Sequence, residues 1–150
     1  IEVGQPVIID FGGVLDGYVA DQTRTLVLGG EPEEKFKNIH SVVKEAQEKA
    51  VEKVRPGVSI GEIDSAAREV LKKEGLEDMF PHKIGHGVGL EIHEDPVLRP
   101  ESSEKVQEGM VFSIEPGVYI KEEFGVRIED VVVVESDGAR RLNTTSRDWR

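Results

Sequence analysis

The order of apolar patterns along the chain constrains its fold more than any other feature. Two β-branched runs, PVIIDFGGVL and GYVADQTRTLVLGG, open the sequence and predict two strands. The turn between them, near residues 12 to 17, is short, so we expect antiparallel pairing. Apolar residues then recur every three or four positions, and two further strands, MVFSIEPGVYI and GVRIEDVVVVES, follow later. This order predicts an α+β fold in which helices cover one face of a sheet.

Two amphipathic helices are predicted in the middle of the chain. The first extends from Glu31 to Val54 and ends at a Pro-Gly pair. The second begins at Ser59 and Glu62, which form a capping-box signature, and Gly75 ends it. A histidine-rich stretch, HKIGHGVGLEIHED, comes next. The polar segment EDPVLRPESSEKVQEG is predicted to be a loop.

Composition excludes several classes of partner. The 150 residues include 30 acidic and 19 basic side chains, which gives a formal net charge of -11. Such a surface repels nucleic acids and anionic membranes, so we expect neither as a partner. The absence of cysteine excludes disulfides and thiolate metal sites and favours a cytoplasmic protein. No apolar run approaches the roughly 20 residues that a membrane span requires.

Four acids lie within or at the ends of the apolar strand runs: Asp10, Asp21, Glu115 and Glu129. Acids are rarely buried unless they are paired or bind a cation, and four together would repel one another. Two divalent cations would balance their four negative charges. With one neutral imidazole added, this mixed donor set suits Mn, Fe, Co or Zn better than Ca, which prefers oxygen ligands.

Each of these acids, taken alone, also fits an ordinary structural role. Asp10 could end a strand at a turn, and Asp21 could form a cross-strand ion pair. Glu115 could be a solvated acid before the Pro-Gly break. Glu129 could face water on an edge strand. The metal hypothesis therefore depends on the joint pattern.

The histidine-rich stretch holds three of the four histidines in the chain. His82 and His93 could each be an ordinary hydrogen-bonded residue of the surface or core. His86 differs because glycines flank it, and glycines let the backbone approach another group closely. An ordinary structural role therefore explains His86 less well than it explains the other two histidines.

Four segments together resemble the pita-bread metallopeptidases, which include proline-specific aminopeptidases, proline dipeptidases and methionine aminopeptidases. The segments are IIDFGGVLDGYVADQTRT, GHGVGLEIHE, FSIEPGVY and GVRIEDVVVV. They occur in the family's order, and GYVADQTRT with VRIED resembles the proline-specific branch. The resemblance implies that residues 1–150 form the C-terminal portion of a single pita-bread catalytic domain.

The resemblance also implies a metal centre with two divalent ions, either Mn, Co or Zn. Its ligands would be Asp10, Asp21, His86, Glu115 and Glu129, with Asp21 and Glu129 bridging both ions. Two neighbouring metals can share a water and lower its pKa, so that it attacks a peptide carbonyl. Glu115 would also shuttle the water's proton to the leaving nitrogen.

Three further residues match functional positions of the family. His93 resembles a histidine that stabilises the tetrahedral intermediate through an N–H donor. His82 resembles a second pocket histidine near the leaving group. Arg127 resembles an arginine that orients the bridging carboxylates or the substrate, and it would share a strand face with the residue two positions later.

The activity that the resemblance implies is hydrolysis of an N-terminal Xaa-Pro peptide bond, as in aminopeptidase P. One alternative is a proline dipeptidase that acts on Xaa-Pro dipeptides. Others are a non-catalytic pita-bread module that binds peptides or proteins, and a creatinase-like hydrolase without metals; five intact ligand positions argue against both. The expected partner is a peptide with proline second, and because enzymes of this branch are often dimers, a homodimer is also expected.

Two departures from the family pattern affect these expectations. The chain begins close to the first metal aspartate, whereas the family's domain has an earlier segment that supplies another pocket histidine. We therefore expect a fragment that is inactive alone, or one completed by another piece or subunit. The second departure is Val97, which stands where many proline dipeptidases have a carboxylate-binding arginine; Arg99 is two residues away. This favours aminopeptidase action on longer peptides.

Overall fold

The computed structural model describes residues 1–150 and contains nine strands, two α-helices and one short 3₁₀ turn at Glu77–Met79. The helices are α1 (Glu34–Lys53) and α2 (Ile60–Lys73). The strands are β1 (Pro6–Leu15), β2 (Tyr18–Val27), β3 (Gly85–Gly87), β4 (Glu94–Leu98), β5 (Val111–Ile114), β6 (Gly117–Ile120), β7 (Phe124–Arg127), β8 (Glu129–Glu135) and β9 (Gly138–Arg141).

Seven strands form one antiparallel sheet in the order β1-β2-β8-β5-β3-β4, with β9 paired to β8. Strands β6 and β7 form a separate hairpin. The pairs β2–β8 and β5–β8 join segments that are distant in sequence. The sheet therefore brings the first strands of the chain next to its last ones.

The predicted antiparallel pairing of β1 with β2 is confirmed, but the turn is tighter than predicted. It comprises Asp16 and Gly17, both with positive φ, as in the two-residue turns that fit the strand twist. Gly12 stays within β1, where a β-carbon would lie 2.1 Å from the carbonyl oxygen of Ala20. This glycine thus allows close strand pairing and does not form the turn.

Both predicted helices are present. Helix α1 begins three residues later than predicted because Glu33 still has an extended backbone, with ψ at 150°. Helix α2 has the predicted capping box: Ser59 Oγ accepts from the Glu62 amide, and Glu62 accepts from the Ser59 amide at 2.9 Å. The capping box fixes the start of α2, the helix that lies nearest to the histidine-rich stretch in sequence.

The helices pack against the sheet through one apolar core. Phe36 and Val43 of α1, with Leu71 of α2, are buried in the same cluster as Phe112 of β5 and Val132 of β8. Burying side chains of this size contributes about 1.5–3 kcal/mol each. The core therefore fixes β5 and β8, the central strands of the sheet.

The histidine-rich region and the last third of the chain differ from the prediction. The segment predicted as a loop contains β4, which pairs with β3 at Val97 and His86. The two long predicted strands are each broken, at Glu115-Pro116 and at Ile128, and β9 was not predicted. Strands β3, β4 and β9 have only three to five residues, so their alternation in the sequence is too short to indicate a strand. None of the helices combines the length and the apolar character that crossing a bilayer requires.

We expect the stability of the fold to depend on pH through His40 of α1. Burial, reinforced by Lys44, lowers the pKa of His40 from 6.5 to about 4, and its Nε2 has no hydrogen-bond partner. Between these values the unfolded chain binds a proton that the folded chain does not, so acidification favours unfolding. The contribution of His40 to the free energy of unfolding should fall by about 2 kcal/mol between pH 7 and pH 5.

Urea denaturation of the unchanged protein and of His40→Gln at the two pH values isolates this contribution. His40→Gln lacks the titrating group, so between pH 7 and pH 5 it should lose about 2 kcal/mol less stability than the unchanged protein. An unchanged pH dependence in His40→Gln would assign the effect to other groups.

Candidate metal centre

Five neighbouring strands of the sheet each contribute one candidate ligand. In spatial order across the sheet these are Asp10 on β1, Asp21 on β2, Glu129 at the start of β8, Glu115 directly after β5, and His86 on β3. The amide of Glu115 donates to the carbonyl of Ile84 at 2.8 Å, which fixes the residue beyond the end of β5. The sheet therefore aligns acids that are up to 119 positions apart in sequence.

Three of these residues converge on one point. Ligand atoms of Asp21, His86 and Glu129 all lie within 4.8 Å of one another. The Nε2 atom of His86 is 3.3 Å from Glu115 Oε1 and 3.7 Å from Asp21 Oδ2. Asp21 is 5% exposed and Glu129 2% exposed, so water screens their charges poorly.

The ring of His86 is oriented so that one nitrogen faces the carboxylates. Its Nδ1 lies 3.0 Å from the carbonyl of Gly87, which can only accept, so Nδ1 carries a proton. Nε2 is then the atom available to a ligand. Ser113 Oγ accepts from the His86 amide and donates to Glu115 Oε1, both at 3.1 Å. One hydroxyl thus links the imidazole segment to Glu115.

The glycines beside His86 allow the strands to pack closely. A β-carbon on Gly85 would lie 2.0 Å from the carbonyl oxygen of Ser113, and one on Gly87 would lie 2.3 Å from that of Asp95. The close approach that the flanking glycines indicated is therefore to neighbouring backbone.

The acids of this cluster are electrostatically strained. Burial, together with the charges of Glu115, Asp21 and Asp10, raises the pKa of Glu129 to about 8. Burial also raises the pKa of Asp21, and the nearby Asp10 and Glu115 add to that effect. For His86, burial opposes the charged form, but the hydrogen bond to Glu115 and the surrounding negative charge raise its pKa overall. This buried set of carboxylates and one imidazole fits a divalent cation, which would remove the repulsion.

Asp10 lies at the edge of the cluster. Its side chain is 52% exposed and forms an ion pair with Arg127. The same guanidinium donates from Nε to Thr23 Oγ1 at 3.2 Å, and Thr23 donates to Glu129 Oε2 at 2.5 Å. Arg127 therefore contacts one candidate ligand directly and a second one through a hydroxyl.

His82, His86, His93 and Glu115 line one cavity of about 760 Å³. The exposed ring of His93 lies edge-on to His86, with centroids 4.3 Å apart. His82 Nδ1 is 2.8 Å from the carbonyl of Lys83, so it donates there, and Nε2 accepts from the Tyr119 hydroxyl at 3.0 Å. Burial lowers the pKa of His82, in keeping with this neutral tautomer.

Three residues of the site were not predicted from the sequence: Thr23, Ser113 and Tyr119. Thr23 and Ser113 each lie two positions from a predicted ligand along a strand, and that spacing places side chains on one face. Tyr119 accepts from Arg127 Nη1 at 3.0 Å and connects it to His82. Its contacts depend on the pairing of β6 with β7, which no local pattern reveals.

An antiparallel sheet that carries carboxylates and an imidazole on adjacent strands is the arrangement of a protein that could hold divalent metal, and the comparisons with known proteins assign its family. The sequence profile of metallopeptidase family M24 matches residues 1–136. The chain belongs to this family. The family that the sequence motifs indicated is thereby confirmed.

Three of the matching proteins show how similar this chain is to known peptidases. An Xaa-Pro dipeptidase of Pyrococcus furiosus is 49% identical over 148 residues, which are 99% of this chain and 42% of that protein. The crystal structure of the prolidase from Pyrococcus horikoshii OT3 matches with a TM-score of 0.96 and 45% identity, over 100% of this chain and 43% of the other. An X-Pro aminopeptidase from Thermotoga maritima MSB8 matches with a TM-score of 0.96 and 40% identity, over 99% and 42%.

These matches confirm the predicted α+β pita-bread fold. The chain spans about two fifths of the length of these relatives.

Proposed function

We propose that the protein is a metal-dependent peptidase that cleaves the Xaa-Pro bond of dipeptides. The observation that carries this proposal is the convergence of Asp21, His86 and Glu129 on one buried point. The names of the relatives favour a dipeptidase, which the sequence motifs suggested only as the alternative. Aminopeptidase P-like action on longer peptides is the second candidate, favoured by the Thermotoga structure and by Val97.

Asp21, His86 and Glu129 would hold divalent metal, with Glu115 beside His86 and Asp10 completing the set. Mn, Co and Zn all suit this mixture of oxygen and nitrogen donors. Metal bound there would polarise the peptide carbonyl and lower the pKa of the attacking water.

The residues of the chain would then divide the remaining tasks. Glu115 lines the cavity with its Oε1 3.3 Å from His86 Nε2, and it would take a proton from water and return it to the leaving nitrogen. His93, which lines the cavity next to His86, would donate an N–H to the developing oxyanion. His82 lies on the cavity wall as a neutral imidazole. Arg127, through Thr23 and Asp10, would orient the carboxylates.

A dipeptide differs from a longer peptide in having its carboxylate next to the cleaved bond, so a cation at that point would favour dipeptides. Lys83 is the one lysine or arginine that lines the cavity, and Val97 lines it too. Arg99 lies in a different depression beside Glu101 and Glu104, and Arg127 already binds Asp10. We therefore assign binding of the dipeptide carboxylate to Lys83.

Lys83→Met should raise KM for an Xaa-Pro dipeptide by about fivefold, since an exposed ion pair contributes up to about 1 kcal/mol. The KM for the corresponding Xaa-Pro-Xaa tripeptide should not change, because its carboxylate is about 3.5 Å further along the chain. Steady-state kinetics with both peptides measures the difference. Lys121→Met, on an exposed turn outside the cavity, is the matched control. An equal rise in KM for both peptides would remove this role from Lys83.

Turnover of Xaa-Pro peptides tests the proposed function itself. The protein, at its full natural length and loaded with Mn or Co, should cleave an Xaa-Pro dipeptide faster than the matching tripeptide. A faster tripeptide would establish the aminopeptidase alternative. No turnover of either peptide, with bound metal verified by elemental analysis, would contradict both. A protein that purifies without stoichiometric transition metal and binds none would instead be a binding module.

A further inference from the structure

Helix α2 carries an ion pair between the buried Asp64 and the partly exposed Arg68. Asp64 is fully buried, and its Oδ2 accepts from Arg68 Nε at 2.7 Å. The guanidinium carbon of Arg68 lies 4.2 Å from the centre of the Phe80 ring. A buried carboxylate requires such a partner, since an isolated buried charge is costly. Asp64 and the Phe80 ring therefore hold the guanidinium in one orientation.

The two remaining guanidinium nitrogens bind the backbone of the histidine-rich segment. Nη1 donates to the carbonyl of Phe80 at 3.2 Å, and Nη2 donates to the carbonyl of His82 at 2.9 Å. The Phe80 ring packs edge-on against the His82 ring, with centroids 4.8 Å apart. The guanidinium of Arg68 thus holds the backbone on both sides of Pro81. The second of the two bound residues, His82, lines the cavity and lies four positions before His86.

The side chain of His82 continues this series of contacts on the cavity side. It accepts from Tyr119, which in turn accepts from Arg127, the partner of Asp10. A continuous series of hydrogen bonds and one ion pair therefore links helix α2 to the candidate centre. His82 joins the two ends of this series, because its backbone binds Arg68 and its side chain binds Tyr119.

We infer that Arg68, held by Asp64, is a positioning residue that fixes the His82 imidazole in the cavity wall. Arg68 lies outside the cavity and would act through His82 and not on substrate. The consequence for turnover rests on the proposed function, whereas the position of the ring does not. A misplacement of about 1 Å is enough to lower a rate substantially.

Arg68→Lys is the informative variant because it keeps the charge that Asp64 requires. An ammonium can pair with Asp64 but cannot reproduce the rigid fork that reaches two separate carbonyls. Arg140→Lys, at an exposed pair with Glu135, is the matched control. The fold should remain intact in both variants, as judged by far-UV circular dichroism and thermal unfolding.

NMR of the protein with ¹⁵N-labelled histidine, at full natural length and loaded with Zn, tests the positioning directly. The unchanged protein and Arg140→Lys should show His82 as one tautomer with Nδ1 protonated. In Arg68→Lys the His82 signals should shift or average between tautomers, while those of His40 stay in place. Unchanged His82 signals would overturn the inference. This result does not depend on whether any peptide is cleaved.

A double-mutant cycle with His82→Gln tests the route of the effect once turnover is established. Arg68→Lys alone should lower kcat by about tenfold with KM for the dipeptide changed less than twofold. In the His82→Gln background it should have no further effect, because the group that it positions is gone. Independent, multiplying effects of the two changes would show that Arg68 does not act through His82.

Discussion

Glu115→Gln is expected to lower kcat by about 10²–10⁴-fold, the usual contribution of a general acid–base group. The substitution keeps the shape of the side chain and its contact with Ser113, but an amide cannot accept and return a proton. The fold should be little changed, since the Glu115 amide still donates to the carbonyl of Ile84. Steady-state kinetics on an Xaa-Pro dipeptide measures kcat, and circular dichroism monitors the fold.

Glu101→Gln provides the matched control, since the same change is made at an exposed acid away from the metal cluster. Glu101→Gln should leave kcat within twofold of its value in the unchanged protein, as expected for a surface substitution away from the site. Glu115→Gln protein that keeps its metal and its full activity would show that another group moves the proton. The mechanism would then have to be reassigned.

Asp21→Asn is expected to abolish the stabilisation that metal gives. In the unchanged protein, free metal at a hundred times its Kd should raise the free energy of unfolding by about 2.7 kcal/mol. The variant should show no such rise, because one member of the convergent set no longer carries charge. Without metal it should be at least as stable as the unchanged protein, since it removes a buried charge that Asp10 and Glu115 repel.

Thermal or denaturant unfolding with and without Mn measures both the stabilisation by metal and the stability of the metal-free protein. Asp16→Asn is the matched control because Asp16 lies in the turn of the same β1–β2 hairpin, where its positive φ suits asparagine equally well. The control should respond to metal as the unchanged protein does. A variant at Asp21 that still gains stability from Mn would place the metal elsewhere.

Local patterns predicted the parts of the fold that local physics determines. The two-residue turn brings β1 and β2 together as neighbours in the sheet. Ser59 and Glu62 satisfy backbone amides at the start of α2 without any partner distant in sequence. The order of the sheet could not be predicted in this way. The pairs Thr23–Glu129 and Phe112–Val132 join distant segments, and no periodicity specifies them.

The candidate ligands could be identified because charge within an apolar strand is costly, and that cost is visible in the sequence. The groups that orient them carry no such signal. Thr23 and Ser113 are ordinary strand residues until the fold sets their hydroxyls beside Glu129 and Glu115. Val97 shows how little one position can predict about the substrate. This single residue favoured the aminopeptidase hypothesis, whereas the names of relatives that match the whole chain favour the dipeptidase.

Anomalous diffraction from crystals soaked in Mn or Co locates the bound metal and identifies its ligands, and so it tests the proposed metal centre independently of activity. We expect anomalous peaks within coordination distance of Asp21, His86 and Glu129, with Glu115 bound beside His86. Crystals that take up the metal and show no anomalous peak among these side chains would show that the metal centre lies elsewhere.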